Sequence, residues 1–314
     1  MNNKKVLVTG ELNVDILFNE ISSFPVIGQE ILADKMTLAL GSSSAIFAAN
    51  LSSLGTVTSF CGMVGKDLFG DFILSELHRK QVDTSLISSS EKYQTGVTVV
   101  LNYLQDRANV THCGAMEHLV VDNIPFDRFP DFSHLHLSSY FLQKGLQKDI
   151  VRLFKTARDK GLSTSLDIQW DPANEWHFPY QECLPYVDFF MPNEAEILAL
   201  THTEQLDGAF QVLDAFANTI IVKRGISGAT AYHKGESLHA APYLHDHFVD
   251  AIGAGDSFNA GFINSHLQGK PLYDNLLAGN LAGAISTTAA GGTGAFADFP
   301  SYREKANRML NVKI

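Results

Sequence analysis

Residues 250–262 read DAIGAGDSFNAGF. Three small residues, Gly253, Ala254 and Gly255, run into Asp256; Phe258, Phe262 and Ile263 then recur at helical spacing around Ala260 and Gly261. Residues 247–249, HFV, read as a short strand, so the turn is expected to be a strand-to-helix junction. At such a junction the first backbone N–H groups lack intrahelical partners and the helix dipole adds partial positive charge, so phosphate oxygens can settle there. Asp256 falls in the first helical turn, where the dipole is expected to keep it ionised, pointing toward whatever the amides hold. Amides that neutralise a transferring phosphoryl group, beside a carboxylate that accepts a hydroxyl proton, are the parts of a kinase site. The same residues also read as a helix-capping Asp after a glycine turn, with no catalytic role.

Working outward, strand-like runs (5–9, 58–61, 135–138, 163–167, 189–192, 219–222) alternate with helical ones (44–54, 69–80, 146–160, 194–200). The order predicts a single α/β domain over 1–314, a largely parallel sheet with helices on both faces and ligands at the carboxyl ends of its strands. Two segments break the alternation, 14–40 and 95–112. The second, TGVTVVLNYLQDRANVTH, has alternating β-branched residues around a polar turn at Gln105, Asp106 and Arg107, which predicts antiparallel strands and a small β-sheet lid. Residues 302–314 read as a last amphipathic helix.

The chain has 314 residues, 45% of them apolar, enough for a sizeable core. No run nears the roughly 20 apolar residues of a membrane-spanning helix, and the N-terminus carries no signal-peptide pattern, so a cytoplasmic protein is expected. A net charge of −11 argues against nucleic acid or an anionic membrane as partner. Cys61, Cys113 and Cys183 lack metal or disulfide spacing and read as buried hydrophobes. His134 with His136, and His245 with His247, have no third ligand at zinc spacing. The Gly-Lys pairs at 65–66 and 269–270 are not followed by Ser or Thr, which excludes a P-loop, and no G-x-G-x-x-G follows the first strand.

The stretch DAIGAGDSFNAGF is accompanied by GELNVDI (10–16), residues 62–84, MPNEAEILALT (191–201), VKRGISGA (222–229) and AGNLAGAISTTAAGGTGA (278–295). In these blocks and their order the chain resembles the ribokinase-like (PfkB) carbohydrate kinases. The resemblance implies Asp256 as the base, and Gly253, Ala254 and Gly255 as the anion hole. It further implies Asn193 and Glu196 around Mg²⁺-bound phosphates of ATP, Lys223, Gly225 and Gly228 along the nucleotide, and Asn280 at the adenine or ribose. A monovalent cation such as K⁺ would sit by Asp250 and the carbonyl of Ile252, although Ala251 replaces the family's usual Thr. Asn13, Asp15, Gly41 and Ser42 would bind the sugar. Asn193 and Glu196 also read as an acid-rich first helical turn, Lys223 as a surface cation at a strand end, and Ser42 and Ser43 as helix caps.

The sugar end departs from the family pattern: GSSSAIF puts Ser42 at its second glycine and Ile46 at its asparagine. Asp167 and Asp171 are candidate substrate contacts, and Trp170 and Trp176 either stack on a sugar or pack in the core. The expected function is ATP-dependent phosphorylation of a primary hydroxyl of a sugar or sugar acid. A nucleoside kinase and a catalytically silent nucleotide- or sugar-binding protein are the alternatives. A second phosphate on the acceptor is disfavoured by the acids at 20, 30, 34 and 106. A homodimer through the β lid is left open.

Overall fold

The computed structural model describes residues 4–21, 23–103 and 107–313. The first half of the chain contributes β1 (Lys5–Thr9), β2 (Asn13–Ile21), β3 (Ala33–Leu40), α1 (Ser43–Ser53), β4 (Val57–Gly65), α2 (Leu68–Arg79), β5 (Asp83–Ser90), β6 (Gly96–Asn102) and β7 (Arg107–His112). Then come β8 (His134–Ser138), α3 (Lys144–Gln147), α4 (Ile150–Asp159), β9 (Ser163–Asp167), α5 (Tyr180–Cys183), β10 (Phe189–Phe190), α6 (Glu194–Thr201) and α7 (Leu206–Leu213). The last third holds β11 (Ile220–Lys223), β12 (Ala229–His233), β13 (Glu236–Ala240), α8 (Ala254–Leu267), α9 (Leu272–Ser286) and α10 (Phe299–Leu310).

Nine strands form the main sheet in the order β13-β12-β11-β10-β9-β8-β1-β4-β5. Pairing is parallel from β11 to β5, and only β12, which pairs with β11 and β13, runs against the rest. Such a sheet is buried on both faces. In β1, Val6 and Val8 pack with residues of α1, α8 and α9 on one side, while Leu7 packs with residues of α4, α6 and α7 on the other. Small residues let the helices on the first face close up. A Cβ on Gly261 would lie 2.6 Å from the Cβ of Ala282, and one on Gly279 2.7 Å from the Phe258 ring, so α8 and α9 touch nearly backbone to backbone. Among the described residues no helix is long and apolar enough to cross a membrane.

The second sheet has the order β3-β2-β6-β7 and is mixed: β2 pairs β6 in parallel, and the two outer pairs are antiparallel. It comes from the two segments that break the sequence alternation; most of the expected turn at 105–107 lies outside the described residues. Residues 247–249 correct the sequence reading. They form no strand, because Val249 N–H is bonded to Thr287 O (2.8 Å) at the end of α9, and Phe248 and Val249 face outward. The turn before Asp256 is therefore a loop-to-helix junction. The helix expected over 146–160 is two, because Asp149 leaves helical geometry (φ −116°, ψ 13°).

Candidate active site

Gly253 is the N-cap of α8 at φ 72°, in the left-handed region, and a Cβ there would lie 2.6 Å from Gly292 Cα. Both the backbone angle and the close approach require glycine. No side chain caps α8; Ala254 N–H is bonded to Ala251 O (3.2 Å), and the first-turn N–H groups beyond it are left for a ligand. Ala254, Gly255 and Asp256 line a cavity of about 1160 Å³ that extends to both candidate substrate ends. Asp256 is only 6% exposed. Burial first, then the charge of Asp167, push its carboxyl well above the usual range, with Lys223 pulling the other way. Desolvation thus works against the helix end that was expected to keep it ionised.

Beside Asp256 lies a buried polar knot. Asp167, at the carboxyl end of β9, is ion-paired with Lys223 Nζ and accepts from Asn259 Nδ2 at 2.7 Å. Gln169 Nε2 stands 3.2 Å from both Asp167 Oδ2 and Asp256 Oδ1. Lys223 is therefore not a surface cation: its side chain is 10% exposed. Its pKa is raised although burial opposes this, because the carboxylates of Asp167, Glu196 and Asp256 outweigh the desolvation. Asn193 and Glu196 form a reciprocal capping box at α6 (Asn193 Oδ1 to Glu196 N–H, 2.9 Å; Glu196 Oε2 to Asn193 N–H, 2.8 Å). Burial, then Asp167, raise the Glu196 carboxyl to about 7 against the pull of Lys223.

At one end of the cavity Asn13 Nδ2 donates to Asp15 Oδ1 (2.9 Å) and to Thr98 Oγ1 (3.1 Å), and Thr98 meets Thr111 (3.0 Å). Gly41 lies behind this row rather than on the cavity wall: a Cβ there would strike Asp15 Oδ1 and come within 2.5 Å of Asn13 Nδ2. Ser42 lines the cavity, but its hydroxyl donates to Glu11 O (2.7 Å) and accepts from Ala45 N–H (2.9 Å), so it caps α1. Ile46 is 3% exposed, and its methyls fill the gap between Gly253 and Gly292. Trp170 is 53% exposed on the cavity wall, while Trp176 is buried and meets it edge to face at 4.9 Å. Asp171 also lines the cavity, yet it accepts from the N–H groups of Ala173, Glu175 and Trp176, which occupies it with shaping its own loop.

At the other end Gly225 (φ 53°) and Gly228 (φ 79°) line the cavity, and Asn280 Nδ2 donates to the carbonyls of Ala240 and Ala241 at 3.1 and 2.9 Å. Asp250 sits one step behind the wall; its oxygens accept from Ile252 N–H (2.7 Å) and Gly291 N–H (3.1 Å). His134 and His136 are buried among the hydroxyls of Ser138, Ser163 and Ser165, so they are core residues. Cys61 and Cys183 are buried, but Cys113 is half-buried on the cavity wall. Among the described residues no three His, Cys, Asp or Glu side chains converge as metal ligands. A Mg²⁺ ion suits this site only if it arrives on phosphates and waters, the way that ion is commonly held, with Glu196 as the adjoining carboxylate.

The pfkB family carbohydrate kinase profile matches residues 3–298. The chain belongs to that family. This carbohydrate kinase is 28% identical over 239 residues to an uncharacterized sugar kinase of Archaeoglobus fulgidus, covering 74% of the chain and 92% of the relative. It is 28% identical over 260 residues to the 2-dehydro-3-deoxygluconokinase of Bacillus subtilis, covering 78% and 79%. An E. coli protein described as a ribokinase II, solved with ATP and Mg²⁺, superposes with a TM-score of 0.83 at 24% identity over 97% of the kinase and 99% of that chain. The fold is thus ribokinase-like. Glu11, Gln169 and Asn259, all within the kinase's polar knot or beside it, were missed by sequence reasoning. Gln169 had one local signal, since it stands two residues beyond Asp167 at a strand end.

Proposed function

We propose that this kinase transfers the γ-phosphoryl group of ATP to a primary hydroxyl of a sugar or sugar acid, with Asp256 as base. The observation that carries the reading is the uncapped N-terminus of α8, which opens beside Asp256 midway along one cavity. The row of Asn13, Asp15 and Thr98 lies on the acceptor side, and Gly225, Gly228 and Asn280 on the nucleotide side. In the transfer the acceptor O–H gives its proton to Asp256 while its oxygen bonds to the γ-phosphorus. The bond from that phosphorus to the β,γ-bridging oxygen breaks, and ADP leaves. Amides of residues 253–255 and the Lys223 ammonium offset charge on the transferring group. Bound Mg²⁺ supplies further charge neutralisation, with Asn193 and Glu196 holding its water shell.

The small sheet acts as a lid over the acceptor, in one kinase domain. Asp250 and the Ile252 carbonyl adjoin a monovalent-cation position between the signature turn and the loop at Gly291. Exposed Ile27, Leu32 and Met36 on the small sheet and its connection would be covered by a second copy. The nucleoside reading has one specific support: Trp170 presents an open indole on the cavity wall, its ring edge to face with Trp176, where a base can stack. An ATP-consumption screen over ribose, fructose, 2-keto-3-deoxygluconate and several nucleosides tests the proposal. Acceptor-dependent ADP release is expected. ATP and sugar binding without any acceptor-dependent ADP would instead make the protein a silent binding protein.

A further inference from the structure

We propose that Gln169 is a positioning residue that orients the Asp256 carboxylate and keeps it ready to take a proton; this rests on the reading of Asp256 as base. Gln169 stands on the cavity wall just past β9, with φ 59°. Its backbone N–H donates to Asp167 Oδ1 (3.3 Å), and its Nε2 lies 3.2 Å from Asp167 Oδ2 and 3.2 Å from Asp256 Oδ1. An amide nitrogen has two hydrogens, so it can serve both oxygens at once. Carboxylates on two sides also decide its flip, because the amide oxygen would be repelled there.

The bridge completes a path of contacts from β11 through β9 to α8. Lys223 and Asn259 hold Asp167, Asp167 and the backbone hold Gln169, and Gln169 holds the base. The groups that face Asp256 are Asp167 from β9, Lys223 from β11, Glu11 from the loop after β1 and the Ser43 hydroxyl of α1. Burial and the two neighbouring carboxylates oppose ionisation, and the one ammonium is already engaged by Asp167. A donor on Oδ1 favours the charged form and fixes the plane of the group that meets the acceptor hydroxyl.

The test is the pH dependence of kcat/KM for the best acceptor in Gln169→Met, which keeps the side-chain length and removes both donors, and in Gln169→Asn, which keeps them one carbon short. The Met variant should lose about tenfold or more in kcat. Its acidic limb should move up by about one pH unit, because removing the donor raises the pKa of the base. The Asn variant should recover part of both, and the KM for ATP should change less than about threefold in either. Loss of activity with a raised KM for ATP and an unmoved acidic limb would make Gln169 a phosphate ligand and overturn the proposal, as would wild-type behaviour of the Met variant. If Gln169→Met does not fold, Gln169→Asn alone decides: a wild-type kcat and profile overturn the proposal, and a lowered kcat with a shifted acidic limb upholds it. Full turnover by Asp256→Asn would sink the base assignment itself. An inactive Asp256→Asn beside an unshifted Gln169→Met would sink only the role of Gln169.

Discussion

Asp250 Oδ2 accepts the backbone N–H of Gly291 at 3.1 Å, joining the turn before α8 to the glycine loop after α9. Its other oxygen accepts from Ile252 N–H at 2.7 Å, so one carboxylate sets the spacing of two loops. Asp250→Ala leaves both N–H groups without that partner and should cost about 1–3 kcal/mol of stability. Because residues 253–255 follow directly, kcat should fall as well. Urea unfolding and steady-state rates check this, and an unchanged midpoint with unchanged kcat would contradict the linkage.

Gly41 gives Asn13 and Asp15, on the proposed acceptor side, their room. In Gly41→Ala the new Cβ would displace Asp15 Oδ1 and Asn13 Nδ2. Weakening two hydrogen bonds to a sugar should lower kcat/KM for the acceptor by about tenfold or more, with ATP affinity retained. Calorimetric titration with ATP beside acceptor kinetics separates the two; equal loss at both ends would point to general disruption.

Ile46 stands where the family pattern has asparagine, and it also packs Gly253 against Gly292. Ile46→Asn should lose about 2 kcal/mol or more, since packing is removed and a buried amide is added. If the side chain also faces the acceptor, relative kcat/KM should shift toward fully hydroxylated sugars such as ribose by up to about tenfold. Lost stability with unchanged preference would leave Ile46 a packing residue only.

The paired histidines predict acid sensitivity. Burial holds the His134 and His136 imidazoles well below their ordinary pKa, with lesser contributions from each other's neighbours, His136 and His266 for the first and Lys223 for the second. The unfolded chain takes up protons at these positions below about pH 6.5, and the folded chain does not. Their contribution is therefore complete above the unfolded pKa and lost as pH falls, by about 1.4 kcal/mol per pH unit for each group. Unfolding free energies at pH 7.5, 6 and 5 should show this slope, reduced by about one proton in His136→Asn. A slope unchanged by that substitution would contradict it.

How much of this was legible in the sequence follows from how local each signal is. The strand at 5–9, the helix that begins after Gly253 and the acid-rich first turn of α6 depend on neighbours a few positions away, and the structure has each of them. The alternative reading of Lys223 as a surface cation stayed open in the sequence because its partner Asp167 lies 56 residues earlier, and only the order of β9, β10 and β11 brings the two together. Gln169 and Asn259 are polar residues whose meaning comes from the same convergence. Residues 247–249 have strand-like composition, but hydrogen bonding to the end of α9 overrides it.

In the proposed reaction Asp256 accepts the acceptor's proton during phosphoryl transfer. The direct measurement is the single-turnover rate of ATP cleavage with saturating acceptor in wild type and Asp256→Asn, with ATP affinity measured separately on both. A fall of about 10²–10⁴ in rate at nearly unchanged ATP affinity is predicted. A variant that turns over its acceptor at the wild-type rate would contradict the account.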